Sequence, residues 1–193
     1  MQSITVFCGA SSGDGEVYNS QAKALGKVLA QRGIRVIYGG AHIGVMGAVA
    51  EGALEAGGLV TGVIPKFLQS KEVAHQGLSE MIIVDTMHER KMKMQDLCDG
   101  FIALPGGFGT LEELFEVLTW AQLGLHQKPI ALLNTNGYYD SLIAMIDTMI
   151  DRAFLKVAYR QMLLVSNDIN DLLRQMENYK APEVEKWITH ETT

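Results

Sequence analysis

The chain of 193 residues is 48% hydrophobic and 20% charged, with a formal net charge of -6. Such a balance excludes disorder and collagen and describes one globular domain with enough chain to bury a substantial core. An acidic chain repels a phosphate polymer at long range, and the one basic cluster, Arg90, Lys91 and Lys93, suits a single phosphate or carboxylate rather than a duplex.

Short β-branched runs alternate with longer segments of helical period, the pattern of a parallel sheet wrapped by helices on both faces. Strands are expected at 4–8, 34–38, 59–64, 81–84, 101–104, 130–133 and 162–165. Helices are expected at 16–31, 45–56, 86–98, 110–123, 138–151 and 169–178. In the first helix Ala22, Leu25, Val28 and Leu29 recur at helical spacing and Gly33 ends it. Residues 66–80 lack a clear period and read as a long loop or short helical turns. One α/β domain over 1–180 is expected, with a polar tail over 181–193. The N-terminus has no leader pattern, and no window approaches the roughly 18 apolar residues of a membrane span. Cys8 and Cys98 offer neither metal-ligand spacing nor a disulfide framework. A cytoplasmic protein is the expectation.

Glycine is the compositional outlier, with 20 residues against 4 prolines, about 10% where about 7% is usual. Three clusters follow expected strands: Cys8-Gly9-Ala10-Ser11-Ser12-Gly13, Gly39-Gly40-Ala41-His42-Ile43-Gly44 and Pro105-Gly106-Gly107-Phe108-Gly109-Thr110. In a parallel sheet these loops lie at the carboxyl edge, where glycine lets backbone N–H groups approach an anion and a helix N-terminus adds its dipole. All three are therefore expected around one phosphate. No lysine follows a glycine cluster at nucleoside-triphosphatase spacing, and the dinucleotide fingerprint is not met. A nucleoside or sugar monophosphate fits better.

Thr110-Leu111-Glu112-Glu113 is open to two readings. Thr-x-x-Glu is a capping box, in which Glu113 bonds back to the helix start; a carboxylate beside a phosphate-binding turn is equally a group in use. Leu111, Leu114, Phe115 and Leu118 share one face, leaving Glu112, Glu113 and Glu116 elsewhere. In Met87-His88-Glu89-Arg90-Lys91 the apolar Met87, with Met94 and Cys98, is expected to face the core while the charged residues project. Arg90 offers a planar fork for a phosphate or a purine edge. His42 and His75 sit in irregular segments. No cluster supports a metal site, and no nucleophile elbow is visible. Val117, Trp120 and Leu123 exceed what one sheet-facing stripe needs, so part of that helix is expected to face a second copy or a neighbouring helix.

Pro105-Gly106-Gly107-Phe108-Gly109-Thr110-Leu111-Glu112-Glu113 resembles the P-G-G-x-G-T-x-x-E motif of the LOG ("Lonely guy") family, cytokinin riboside 5'-monophosphate phosphoribohydrolases often mislabelled lysine decarboxylases. Supporting it are Val6-Phe7-Cys8-Gly9-Ala10-Ser11-Ser12, Tyr38-Gly39-Gly40 through Ile43-Gly44-Val45-Met46-Gly47, residues 87–91, and Thr119-Trp120-Ala121-Gln122-Leu123-Gly124. The likeness spans residues 3 to 178.

The resemblance implies a Rossmann-like homodimer that hydrolyses the N-glycosidic bond of adenine-type nucleoside 5'-monophosphates. It makes Glu113 and Arg90 the catalytic pair, with Gly107, Gly109 and Thr110 on the phosphate. The implied substrate-contacting set further includes Ser11, Gly40, Gln76, Lys91, Phe108, Leu111, Glu112 and Thr119. Two positions depart from the family: Gly39-Gly40-Ala41-His42 replaces a Gly-Gly-Gly turn, and Gln76 stands where plant members carry glutamate. No metal or other cofactor is required. Lysine decarboxylation needs pyridoxal phosphate on a buried lysine, which no segment evidently presents. The rival from another class is a nucleotide or cofactor carrier that uses the same loops only to bind.

Overall fold

A computed structural model describes residues 1–69 and 74–183. Seven parallel strands form one sheet in the order β4-β3-β2-β1-β5-β6-β7. They are β1 (Ser3–Phe7), β2 (Arg35–Tyr38), β3 (Val60–Pro65), β4 (Glu80–Val84), β5 (Gly100–Ala103), β6 (Ile130–Leu133) and β7 (Leu163–Ser166). The helices are α1 (Glu16–Gln31), α2 (Gly44–Glu55), α3 (Lys66–Gln69), α4 (Met87–Asp96), α5 (Phe108–Gln122), α6 (Asp140–Asp151), α7 (Val157–Arg160) and α8 (Ile169–Glu177). The expected doubly wound α/β architecture is therefore present. Beyond the expected elements are α7 and a 3-10 turn at Thr135–Gly137.

Strand residues alternate between two cores, as a sheet covered on both faces requires. Ile4, Val6, Val36 and Ile102 meet α1, α2 and α8; Phe7, Ile37, Phe101 and Leu132 meet α4, α5 and α6. Close contact between α1 and α2 uses glycine: a Cβ at Gly26 would overlap the Val49 carbonyl, and one at Gly52 the Lys23 carbonyl. Part of the glycine excess thus belongs to helix packing rather than to any site.

Val117 is 3% exposed and sits in the chain's own core, so of the two alternatives for this helix Val117 is not available to a second copy. Trp120 and Leu123 are half-buried. Of the irregular stretch 66–80, α3 is a single turn and Ala74 bridges Ala41; residues 70–73 lie outside the described residues. So does the expected polar tail from 184 onward. No helix among the described residues is long and apolar enough to cross a membrane.

The order of strands decides where a site can form. From β1 the chain steps one way through β2, β3 and β4, then returns to β5 on the other side of β1. The connections leaving β1 and β5 diverge there, opening a crevice at their carboxyl ends. The two strands run in register, Phe7 beside Ala103, and Gly9 N–H donates to the Pro105 carbonyl at 3.2 Å.

Candidate active site

The crevice is a cavity of about 570 Å³, a size suited to a small-molecule ligand. Glu113 and Arg90 both line it, as do Ser11, Gly107, Gly109, Thr110 and Glu112.

Glu113 lies in the second turn of α5 and is half-buried. It does not form a capping box: α5 starts at Phe108, its N-cap is Gly107, and no side chain caps it. The Thr-x-x-Glu cap occurs instead on α4, where Thr86 accepts from Glu89 N–H at 3.1 Å. Burial pushes the Glu113 carboxyl up from 4.5 to about 7, against the lowering pull of Arg90 and with a further push from Glu112. The carboxyl thus exchanges its proton near neutrality, as general acid–base chemistry requires.

Arg90 is 7% exposed and points inward, opposite to the expectation that the charged residues of this helix project. Its Nε donates to the Val63 carbonyl at 3.1 Å and its Nη2 to the Gly39 carbonyl at 3.3 Å. Gly39 makes room for it, since a Cβ there would overlap Nη2. Among the described residues no carboxylate lies within ion-pair distance of this guanidinium. A buried cation without a carboxylate partner is costly, and an anion or an electron-rich base in the cavity would offset that cost. Met87, expected in the core, is 36% exposed and lines the cavity, while Met94 and Cys98 are buried as expected.

The first turn of α5 presents the N–H groups of Phe108, Gly109 and Thr110, which have no intrahelical acceptor. Such open amides, together with the helix dipole, are the features a bound anion would use. The corresponding amides of α2 are engaged: Val45 N–H donates to the Ser11 carbonyl at 3.4 Å and Met46 N–H to the Gly9 carbonyl at 3.1 Å. The turn after β2 therefore leads into a helix whose amides are spent on the protein, which speaks against the expectation that all three turns serve one phosphate. Its contribution to the cavity is Gly39, while Gly40 lies beside it and bonds His75 N–H through its carbonyl at 3.0 Å.

Several candidate residues stand outside the cavity wall. Lys91 is held by Glu112 at 2.6 Å and Glu116 at 2.8 Å, which leaves Glu113 as the carboxylate of this trio without an ion pair. The Thr119 hydroxyl donates to the Phe115 carbonyl at 2.7 Å. Leu111 packs on the core, Phe108 is 94% exposed, and Gln76 is exposed on the 74–80 segment.

Conversely, the cavity includes Cys8, Asp14, Tyr18, Met46 and Tyr138, which were not among the candidates. Cys8 is buried, and burial with the nearby Glu113 pushes its thiol up, so it stays neutral. The sequence signal for Tyr138 is a Gly-Tyr-Tyr run in the turn that follows β6, at the carboxyl edge of the sheet. Among the described residues no group of three or more His, Cys, Asp or Glu is placed to hold a metal ion.

A family described as possible lysine decarboxylases matches residues 46–176. A cytokinin riboside 5'-monophosphate phosphoribohydrolase of Rhodococcoides fascians is 49% identical, over 87% of this chain and 85% of its own length. The probable cytokinin riboside 5'-monophosphate phosphoribohydrolase LOGL1 of Oryza sativa subsp. japonica is 47% identical, over 91% of this chain and 79% of its own. The chain belongs to the LOG family. Among solved structures, this LOG-family chain resembles the Moco carrier protein of Chlamydomonas reinhardtii with a TM-score of 0.67 at 23% identity, covering 91% and 94% of the two chains. At that identity the likeness concerns the fold.

Proposed function

We propose that this LOG-family protein hydrolyses the N-glycosidic bond of adenine-type nucleoside 5'-monophosphates, isopentenyl-AMP and AMP among them, to the free base and ribose 5-phosphate. The observation that carries the reading is the convergence of Glu113, Arg90 and the uncapped α5 N-terminus on one cavity. The names of the relatives agree with it.

In this reading the phosphate sits against the Gly107, Gly109 and Thr110 amides and the ribose is thereby fixed near Glu113. As the C1'–N9 bond lengthens, positive charge grows on the sugar, and the carboxylate stabilises it and orients the attacking water. The water oxygen bonds to C1', the bond electrons leave with the purine, and the purine takes up one proton. Arg90 stays charged and stabilises the departing base or holds Glu113 in place. No lysine lines the cavity among the described residues, so no amine is placed there for a Schiff base, as amino-acid decarboxylation requires. The working form is a cytoplasmic homodimer, with the half-buried Trp120 and Leu123 of α5 toward the partner.

The test is incubation with isopentenyl-AMP and with AMP, followed by chromatography for free base. Release of base from either supports the reading, and the ratio of the two rates gives the base preference. Tight binding with no base released is the signature of a carrier and overturns it.

A further inference from the structure

Tyr138 and Tyr139 follow a connection shaped to present them. Asn136 is left-handed at φ 54 and Gly137 at φ 71, a conformation that side chains other than glycine adopt with strain. Asn134 locks the turn, accepting from Tyr139 N–H and donating to Asp140, both at 2.7 Å. The two phenols then reach across to the turn after β5. Tyr139 Oη donates to the Leu104 carbonyl at 2.6 Å, and Tyr138 Oη to the Gly106 carbonyl at 2.6 Å. Between them the Pro105 carbonyl accepts from Gly9 N–H at 3.2 Å.

Three successive carbonyls, 104 to 106, are thus held from outside the turn. A trans peptide sets each N–H opposite the preceding C=O, so holding the Gly106 carbonyl fixes the direction of Gly107 N–H at the start of the anion-binding turn. The Tyr138 ring is itself braced. Tyr18 meets it edge-on at 6.0 Å and Tyr139 at 4.9 Å, and a Cβ at Gly13 would stand 2.8 Å from the Tyr18 ring. The ring system ties the start of α1, the β5 turn and the β6 connection together at one end of the cavity.

We propose that Tyr138 is a positioning residue for the substrate phosphate, its phenol holding the Pro105-Gly106-Gly107 turn in the form that receives the anion. The proposal rests on the phosphoribohydrolase reading above. Tyr138 is 44% exposed, whereas Tyr139 is 1% exposed. Water can therefore replace the Tyr138 bond without loss of the fold, and Tyr138→Phe removes one hydroxyl from a folded protein.

The experiment is calorimetric titration of wild type and Tyr138→Phe with ribose 5-phosphate and, separately, with adenine, alongside kcat and KM for isopentenyl-AMP. Ribose 5-phosphate binding should weaken about threefold to tenfold, as for one lost hydrogen bond, with KM rising in step. Adenine binding should be unchanged and kcat should stay within about twofold. Unchanged ribose 5-phosphate binding in the variant, with normal hydrolysis by wild type, overturns the positioning role alone. Equal weakening of adenine also overturns it, because the whole cavity has then relaxed. If wild type binds no ribose 5-phosphate and releases no base, the phosphoribohydrolase reading falls and the proposal with it.

Discussion

The turns after β2 and β5 look alike in sequence, each a glycine-rich passage from strand to helix at the same sheet edge, yet they do different work. The α2 N-terminus directs two of its first amides onto the Gly9 and Ser11 carbonyls and so is satisfied by protein. Neither helix start has a side-chain cap and both border the cavity, but among the described residues the Phe108, Gly109 and Thr110 amides have no such carbonyl partner. In the β5 turn itself Gly106 is hemmed in by Thr110 and Gly9, but the glycines at the two helix starts divide the same way. A Cβ at Gly44 would overlap the Ala10 carbonyl and one at Gly47 the His42 carbonyl, while a Cβ at Gly107 or Gly109 meets nothing within 4 Å. A glycine with a filled neighbourhood serves packing; one facing empty space at a helix start leaves room for a ligand.

The largest effect should come from the carboxylate beside the open turn. Glu113→Gln is expected to lower turnover of isopentenyl-AMP by about a thousandfold, measured as base released per enzyme, with the fold retained. The same variant has a stability signature. Folded Glu113 titrates near 7 and starts from 4.5, so between those values the folded state holds more protons than the unfolded chain. The contribution of this group to stability therefore falls as pH rises from 4.5 to 7 and is level above. Glu113→Gln should remove that slope and gain on the order of 2 kcal/mol at pH 8 in urea unfolding.

Arg90→Lys keeps the charge and loses the fork that spans the Val63 and Gly39 carbonyls. Its kcat should fall about a hundredfold, and Gly39→Ala, which overlaps the same guanidinium, should follow it in direction. The two turns are then separated by alanine. Gly47→Ala should cost about 3 kcal/mol in denaturant unfolding. Gly109→Ala should leave the melting temperature near that of wild type and raise KM about tenfold. The smallest effect belongs to Gly40→Ala, a left-handed position at φ 85, which should cost about 1 kcal/mol of stability with KM unchanged.

Much of the fold was legible because its signals are local. β-branched runs marked all seven strands, and α1 begins and ends where its period and Gly33 place it. Glu113 and Arg90 were legible through motifs that hold their order along the chain. What escaped the sequence depends on partners distant in it. The α2 amides are engaged by carbonyls of the β1 loop, so no reading of 39–47 alone could tell that turn from its counterpart after β5. Lys91 is engaged by two glutamates one helical turn apart on another helix. Tyr18 and Tyr138 reach the cavity only because β1, β5 and β6 are neighbours, which follows from strand order rather than from either local pattern. The choice between the two readings of Thr110–Glu113 also turned on context: the glycine-rich start of α5 extends that helix two residues before Thr110, which removes the capping-box alternative.

The division between the two turns is tested most directly by titrating ribose 5-phosphate into isotope-labelled protein and following backbone amides by NMR. Large shifts are expected at Gly107, Phe108, Gly109 and Thr110, with Val45 and Met46 nearly still. Dominant shifts at Val45 and Met46, or none at the α5 start under saturating ligand, would contradict that division.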